Sequence, residues 1–205
     1  VINALEKLYP HPKLALNFST PLELLVALIL AAQYRDSEVN KRTAALFKKY
    51  KTARDWAEAP QEEIERDIQG VFGYRRKAAA IRGACQQIVR DFGGVVPDTV
   101  EALVTLKGVG RKTANVLLGN AFGKQTIGVD RHVLRVSQRL GLARRDDPDE
   151  VEAELLKIVP ANKRTKFCLT LQLHGRTVCT APVPQCSQCA LVPFCPYARS
   201  GQSKK

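Results

Sequence analysis

An all-α fold is predicted on three observations. Apolar residues recur at helical spacing along most of the chain, as at Ala78, Ile81, Cys85, Ile88 and Val89. Helix start and stop signals punctuate it, among them Thr20-Pro21-x-Glu23, Gly93-Gly94 and Asp147-Pro148. No stretch carries a convincing strand pattern, and no repeat of about 20–50 residues or low-complexity tract interrupts the helices.

Taken in order, residues 1–9 form a short helix with Ile2, Leu5 and Leu8 on one side, ended by Pro10 and Pro12. Thr20 is a strong N-cap, Pro21 suits the first helical position, and Glu23 completes a capping box. The helix from Pro21 to about Gln33 is apolar nearly all round, which predicts a buried central helix. A second helix spans about Ser37 to Lys49, and short ones lie around Thr52–Glu58 and Pro60–Ile68. Gly70 to Gly73 is a turn. Arg75 to Phe92 reads as a long helix stopped by Gly93-Gly94, and Asp98 caps a short one running to about Val104. Further helices are expected over Arg111–Phe122, Arg131–Leu140, Pro148–Val159 and Arg164–Thr177, with a disordered tail from Ser200.

The chain has 205 residues, 45% of them hydrophobic, which is enough for a sizeable core in one large domain or two small ones. Its formal net charge of +12 and pI of about 9.6 favour a polyanionic partner, with nucleic acid ahead of an anionic membrane surface. No apolar run is long enough to span a bilayer; the stretch from Pro21 to Gln33 is short and holds Glu23. The first residues show no signal peptide, so a cytoplasmic (nucleoid) location is expected for a bacterial protein. The chain starts at Val1 rather than Met, which leaves a targeting segment upstream open. Six cysteines are present, and four of them crowd into the C-terminal stretch, as in an intracellular metalloprotein rather than a secreted disulfide scaffold.

The stretch from Leu106 to Asp130 organises the chain. Gly108 and Gly110 permit a tight turn that feeds a helix from near Arg111, and such a turn aims backbone N–H groups at an anion. Val104, Leu106 and Val109 are expected to pack this turn against Ala114, Leu117 and Leu118. Lys112 falls in the first helical turn. Taken locally, Lys112 is either a nucleophile or one more cation on a basic helix. Asp130 is either a reactive carboxylate or an N-cap of the next helix. Cys179-x6-Cys186-x2-Cys189-x5-Cys195 supplies four thiols, the ligand set of a [4Fe–4S] cluster and equally of a structural zinc. Cys85 and Cys168 read as core residues.

Gly108-Val-Gly-Arg-Lys-Thr-Ala resembles the helix-hairpin-helix of the endonuclease III family of DNA repair glycosylases, and Gly128-Val-Asp130-Arg-His132 resembles the segment carrying that family's aspartate. The cysteine spacing matches the family's cluster signature, and the resemblance runs from Leu5 to about Tyr197. It implies two helical domains flanking a DNA-binding cleft: residues 14–124 with the hairpin, and residues 1–13 plus 125–205 with the cluster loop. It implies a monomeric, bifunctional DNA glycosylase and AP lyase of base excision repair that acts on oxidised pyrimidines in double-stranded DNA, carries a structural [4Fe–4S] cluster and has no membrane partner. Lys112 would attack the sugar C1′. Asp130 would stabilise the charge that builds on the sugar and assist proton transfer. Lys107 is an alternative nucleophile on proximity alone. DNA contacts are expected from Gln33, Tyr34, Arg35, Lys107, Gly108, Gly110, Arg111, Arg131 and His132, with Gln33 entering the gap left by the extruded base. His132 also fits a structural role.

The chain departs from the family pattern in places. Lys107 stands where the family has Pro, Tyr34 and Arg35 replace small residues and Thr, and Arg131 replaces Thr. Gly73 falls at the position of the apolar wedge, and the loop from Cys179 to Cys195 contains no Lys or Arg. These changes keep a rival open: a DNA-binding module with weak or lost catalysis. A monofunctional adenine-removing relative is disfavoured by Lys112.

Overall fold

The computed structural model describes residues 1–200 and is helical, with no strand among them. Among the described residues twelve α-helices run in order: α1 Ile2–Leu8, α2 Pro21–Ala31, α3 Asp36–Lys49, α4 Ala53–Glu58, α5 Gln61–Asp67, α6 Tyr74–Asp91, α7 Val100–Leu103, α8 Arg111–Ala121, α9 Arg131–Arg139, α10 Pro148–Ile158, α11 Arg164–Thr177 and α12 Pro196–Arg199. No helix among the described residues is long and apolar enough to cross a membrane. Residues 201–205, most of the expected disordered tail, lie outside the described residues. Ser200 itself ends α12 in a turn, its Oγ donating to the Tyr197 carbonyl at 2.9 Å.

The chain divides into two compact units, Leu14–Gly123 and Val1–Lys13 with Lys124–Lys205. The first is built round α2. Leu24, Leu25 and Leu30 are fully buried, each contributing about 1.5–3 kcal/mol through removal from water. Thr20 caps α2 by accepting from the Glu23 N–H at 3.2 Å. The box is not closed, because the Glu23 carboxylate accepts from the Ser19 N–H instead of that of Thr20. Thr52 and Asp55 form a full capping box at α4. The long helix α6 packs its inner face, Ala78, Ile81, Ala84, Cys85 and Ile88, into the same core. Its end is closed by the Gly94 N–H reaching back to the Ile88 carbonyl at 2.9 Å, with Gly93 and Gly94 both left-handed. Thr99, not Asp98, caps α7: the helix starts at Val100, so the residue placed to accept the Ala102 N–H is Thr99.

The second unit packs α9 against α11, with α1 on α11. A Cβ on Gly175 would meet His132 Cβ and Val136 Cγ2 at 3.0 Å, so the two helices approach closely where α11 has no side chain. Asp147 caps α10, accepting from the Asp149 and Glu150 N–H groups. Leu5 is the buried residue of α1, whereas Leu8 is exposed, because the helix is seven residues long and its last turn leaves the core.

Candidate functional site

The turn from Leu106 to Gly110 is held from several sides within the first unit. Gly108 has φ +79°, and a Cβ there would sit 2.7 Å from Ala80 Cβ on α6, so both conformation and space demand glycine. Gln87 of α6 clamps the turn: its Oε1 accepts from the Lys107 N–H at 2.8 Å and its Nε2 donates to the Thr105 carbonyl at 3.1 Å. The Lys107 stem lies over Gly83 of α6, where an added Cβ would meet Lys107 Cδ at 2.6 Å. Leu106, Val109, Ala114, Leu117 and Leu118 are buried as expected, whereas Val104 is exposed, because it follows the end of α7 on the outer side. Gly110 has no side chain to cap α8, and a helix start of this kind is where backbone amides can meet an anion. Arg111 and Lys112 occupy that turn, both exposed.

Gln33 is exposed on the turn after α2 and has φ +54°, a left-handed conformation that no other non-glycine residue among those described adopts. Tyr34 is tied down: its hydroxyl donates to the Gly70 carbonyl at 3.2 Å and its ring packs on the core. That contact joins the 33–35 turn to the 70–73 turn. Arg35 is exposed at the N-cap position of α3. On the second turn, Gly73 is left-handed with φ +70°, so a side chain there would be strained. Its neighbour Phe72 is 60% exposed. An apolar ring is thus presented one residue before the position where sequence reasoning found none.

In the second unit Asp130 is half-buried and caps α9. Its Oδ1 accepts from the His132 and Val133 N–H groups, each at 2.8 Å, and Oδ2 takes part in neither bond. The capping geometry therefore leaves one carboxylate oxygen outside the cap. Lys112 belongs to the first unit and Asp130 to the second. His132 is built into the helix packing: Arg135 lies 3.2 Å from its Nδ1, and burial holds the imidazole below its ordinary pKa. Arg135 in turn donates to the Gly175 carbonyl at 2.8 Å and the Cys179 carbonyl at 3.1 Å, fastening the start of the cysteine loop to α9. Arg131 stays exposed.

The cysteine loop leaves α11 and folds back on α9. Cys179, Cys186, Cys189 and Cys195 are unpaired by disulfides and line one shared pocket. Among the described residues no three His, Cys, Asp or Glu side chains converge tightly enough to hold a single metal ion. Four thiols lining one pocket are a ligand set for a [4Fe–4S] cluster and equally for a structural zinc. Arg139 supports the wall, donating to Cys179 Sγ at 3.4 Å and the Thr180 carbonyl at 2.8 Å, with its guanidinium 4.7 Å from the Tyr197 ring centroid. Buried His174 sits between Tyr9, at 2.9 Å from Nδ1, and Cys189 Sγ, at 3.6 Å from Nε2. Cys85 and Cys168 are not among the residues lining that pocket; both are buried in the cores, and burial pushes both thiols up to about 12, as inert core residues.

Sequence reasoning missed Gln87, Arg135, His174 and Lys77. Only Lys77 gave a local signal, since it shares the inward register of Ile81, Ala84 and Ile88 on α6.

Residues 26–161 match the model of the HhH-GPD superfamily base excision DNA repair protein. Endonuclease III of Synechocystis sp. is 45% identical over 98% of this chain and 92% of its own length. Endonuclease III of Escherichia coli (strain K12) is 41% identical over 96% of this chain and 93% of its own. A solved structure of a trapped endonuclease III–DNA covalent intermediate superposes with a TM-score of 0.93 at 40% identity, covering 98% of this chain and 95% of that one. With a hairpin turn that only glycine fits, a lysine in the helix it feeds and four thiols around one cavity, the chain belongs to the endonuclease III family within the HhH-GPD superfamily of base excision DNA repair proteins.

Proposed function

We propose that this protein is a DNA glycosylase and AP lyase of base excision repair, with Lys112 as nucleophile and Asp130 as its charged partner. The observation that carries the assignment of Lys112 is its exposed position in the uncapped first turn of α8, directly after the hairpin turn. In this reading the amides of that turn take a DNA phosphate and set the backbone register without reading sequence. The damaged base, an oxidised pyrimidine by family resemblance, is first taken out of the stack. Lys112 Nζ then bonds to C1′ as the glycosidic bond breaks, and the base leaves with that electron pair and gains a proton. The sugar opens to an imine. Loss of a C2′ proton then sends its electrons to break the C3′–O bond, and the strand is cut 3′ to the lesion. Asp130 Oδ2 faces the positive charge that develops on the sugar while Oδ1 remains in the α9 cap. Gln33 fills the gap left by the base, Phe72 supplies the apolar face that Gly73 lacks, and Arg35, Arg111 and Arg131 meet phosphates.

Cys179, Cys186, Cys189 and Cys195 would hold a [4Fe–4S] cluster, whose contribution when bound is to cross-link the loop. Arg135, Arg139 and His174 brace that loop from α9 and α11.

Borohydride reduction of the protein on an abasic duplex tests the assignment. A covalent complex is expected from the wild type and from Lys107→Gln, and none from Lys112→Gln. The Lys107 stem is engaged against α6, which supports Lys112 over it. Trapping that survives Lys112→Gln and disappears in Lys107→Gln would reassign the nucleophile. A wild type that neither traps nor cuts abasic DNA would leave a DNA-binding module.

A further inference from the structure

Lys77 is a buried cation that the chemistry above does not use. It lies on α6 with 8% of its surface exposed. Its Nζ donates to two backbone carbonyls at the C-terminal end of α2, Leu30 O and Ala32 O, each at 2.7 Å. The second belongs to the peptide bond that leads into Gln33. Among the described residues no carboxylate shifts Lys77, and burial together with Arg76 pulls it down to about 8. What holds the charge is the negative end of α2, whose last carbonyls have no helical partner.

The residue after that peptide bond is the one with φ +54°. A non-glycine residue keeps such a conformation only where its surroundings over-determine it. The surroundings here are explicit. Lys77 grips the carbonyl before Gln33. The Tyr34 N–H after it returns to the Ala31 carbonyl at 3.0 Å. The Tyr34 ring lies 5.5 Å from the same Lys77 Nζ, and its hydroxyl reaches Gly70. Gln33 is therefore bracketed on both sides by contacts that converge on one ammonium group, while its own side chain stays in solvent.

We propose that Lys77 is a positioning residue: it locks Gln33 in the left-handed conformation and so presents the Gln33 amide to the space an extruded base leaves. The second half rests on the function proposed above. The first half concerns the free protein.

The test uses full-length protein carrying Lys77→Met, which keeps the apolar stem and removes the donors, and Lys77→Arg, which restores them. Backbone chemical shifts of Gln33 report its φ without DNA. Lys77→Met is expected to move them out of the left-handed range, and Lys77→Arg to return them. On DNA, single-turnover excision of a fully paired lesion should fall about tenfold or more in Lys77→Met, because misplacing a positioning group costs that order, while cutting at a preformed abasic site, which has no paired base to extrude, should stay within about twofold. Lys77→Arg should recover the paired-lesion rate. Unchanged Gln33 shifts in Lys77→Met overturn the proposal, as do equal losses on both duplexes, which would mark a role in stability alone. If Lys77→Met does not fold, Lys77→Gln, with a single amide donor of shorter reach, gives the same comparison. A wild type inactive on both duplexes would defeat the proposed function instead, and the Gln33 shifts would still judge Lys77.

Discussion

Asp130 is asked to do two jobs, and the structure allows them to be separated. Its Oδ1 accepts two α9 amides at 2.8 Å, and Oδ2 lies outside that cap. Replacing an N-cap Asp by Ala costs about 0.5–2 kcal/mol, whereas Asn ranks level with Asp at this position. The negative charge adds a further ~0.3–1 kcal/mol against the positive helix end. Asp130→Ala therefore loses both contributions and Asp130→Asn only the second. At about 2–4 °C per kcal/mol for a chain of this size, Asp130→Ala should melt several degrees below wild type and Asp130→Asn within a few degrees of it. Catalysis should rank them differently. Neither variant can place a carboxylate by the developing sugar cation, so both should slow single-turnover excision by about 10²–10⁴-fold. Thermal denaturation and single-turnover excision on a lesion-bearing duplex, run on the same preparations, decide the matter. If Asp130→Asn keeps wild-type rates while Asp130→Ala loses stability, Asp130 is a helix cap and nothing more, and its catalytic role falls.

Phe72→Ala should slow excision of paired lesions by about 5- to 150-fold, the range set by ~1–3 kcal/mol of base stacking, and leave abasic cutting nearly unchanged; equal rates for mutant and wild type would remove Phe72 from the interface. Restoring an apolar residue next door is not expected to help, because Gly73 has φ +70° and Gly73→Leu strains the turn. The purified protein should be yellow-brown with about four irons per chain, and Cys186→Ala should impair folding; a colourless protein holding one zinc would refute the cluster.

The sequence by itself determined the helices, because their signals act within one turn of the residues that carry them. Thr20 and Pro21 start α2, Gly93 and Gly94 close α6, and Asp147 caps α10 wherever the rest of the chain goes. The errors at this level are local: Glu23 takes the Ser19 N–H and leaves the Thr20 box open, and of Asp98 and Thr99, both good caps, the one adjacent to the first helical residue takes the bond. The four closely spaced thiols and the glycine turn ahead of Lys112 were legible for the same reason, since spacing along the chain is all they express. Tertiary structure alone decided what holds these groups in place. Gln87 clamps a turn twenty residues away, Arg135 fastens a carbonyl forty-four residues on, and Lys77 reaches back forty-seven residues to the end of α2. It also tied Tyr34, expected from the sequence as a DNA contact, to the Gly70 carbonyl, and showed an exposed Phe72 beside the empty wedge position. These partners meet only after the helices have packed. A side chain's donors are visible in the sequence, but the carbonyls they satisfy are chosen by which helix ends burial brings within 3 Å.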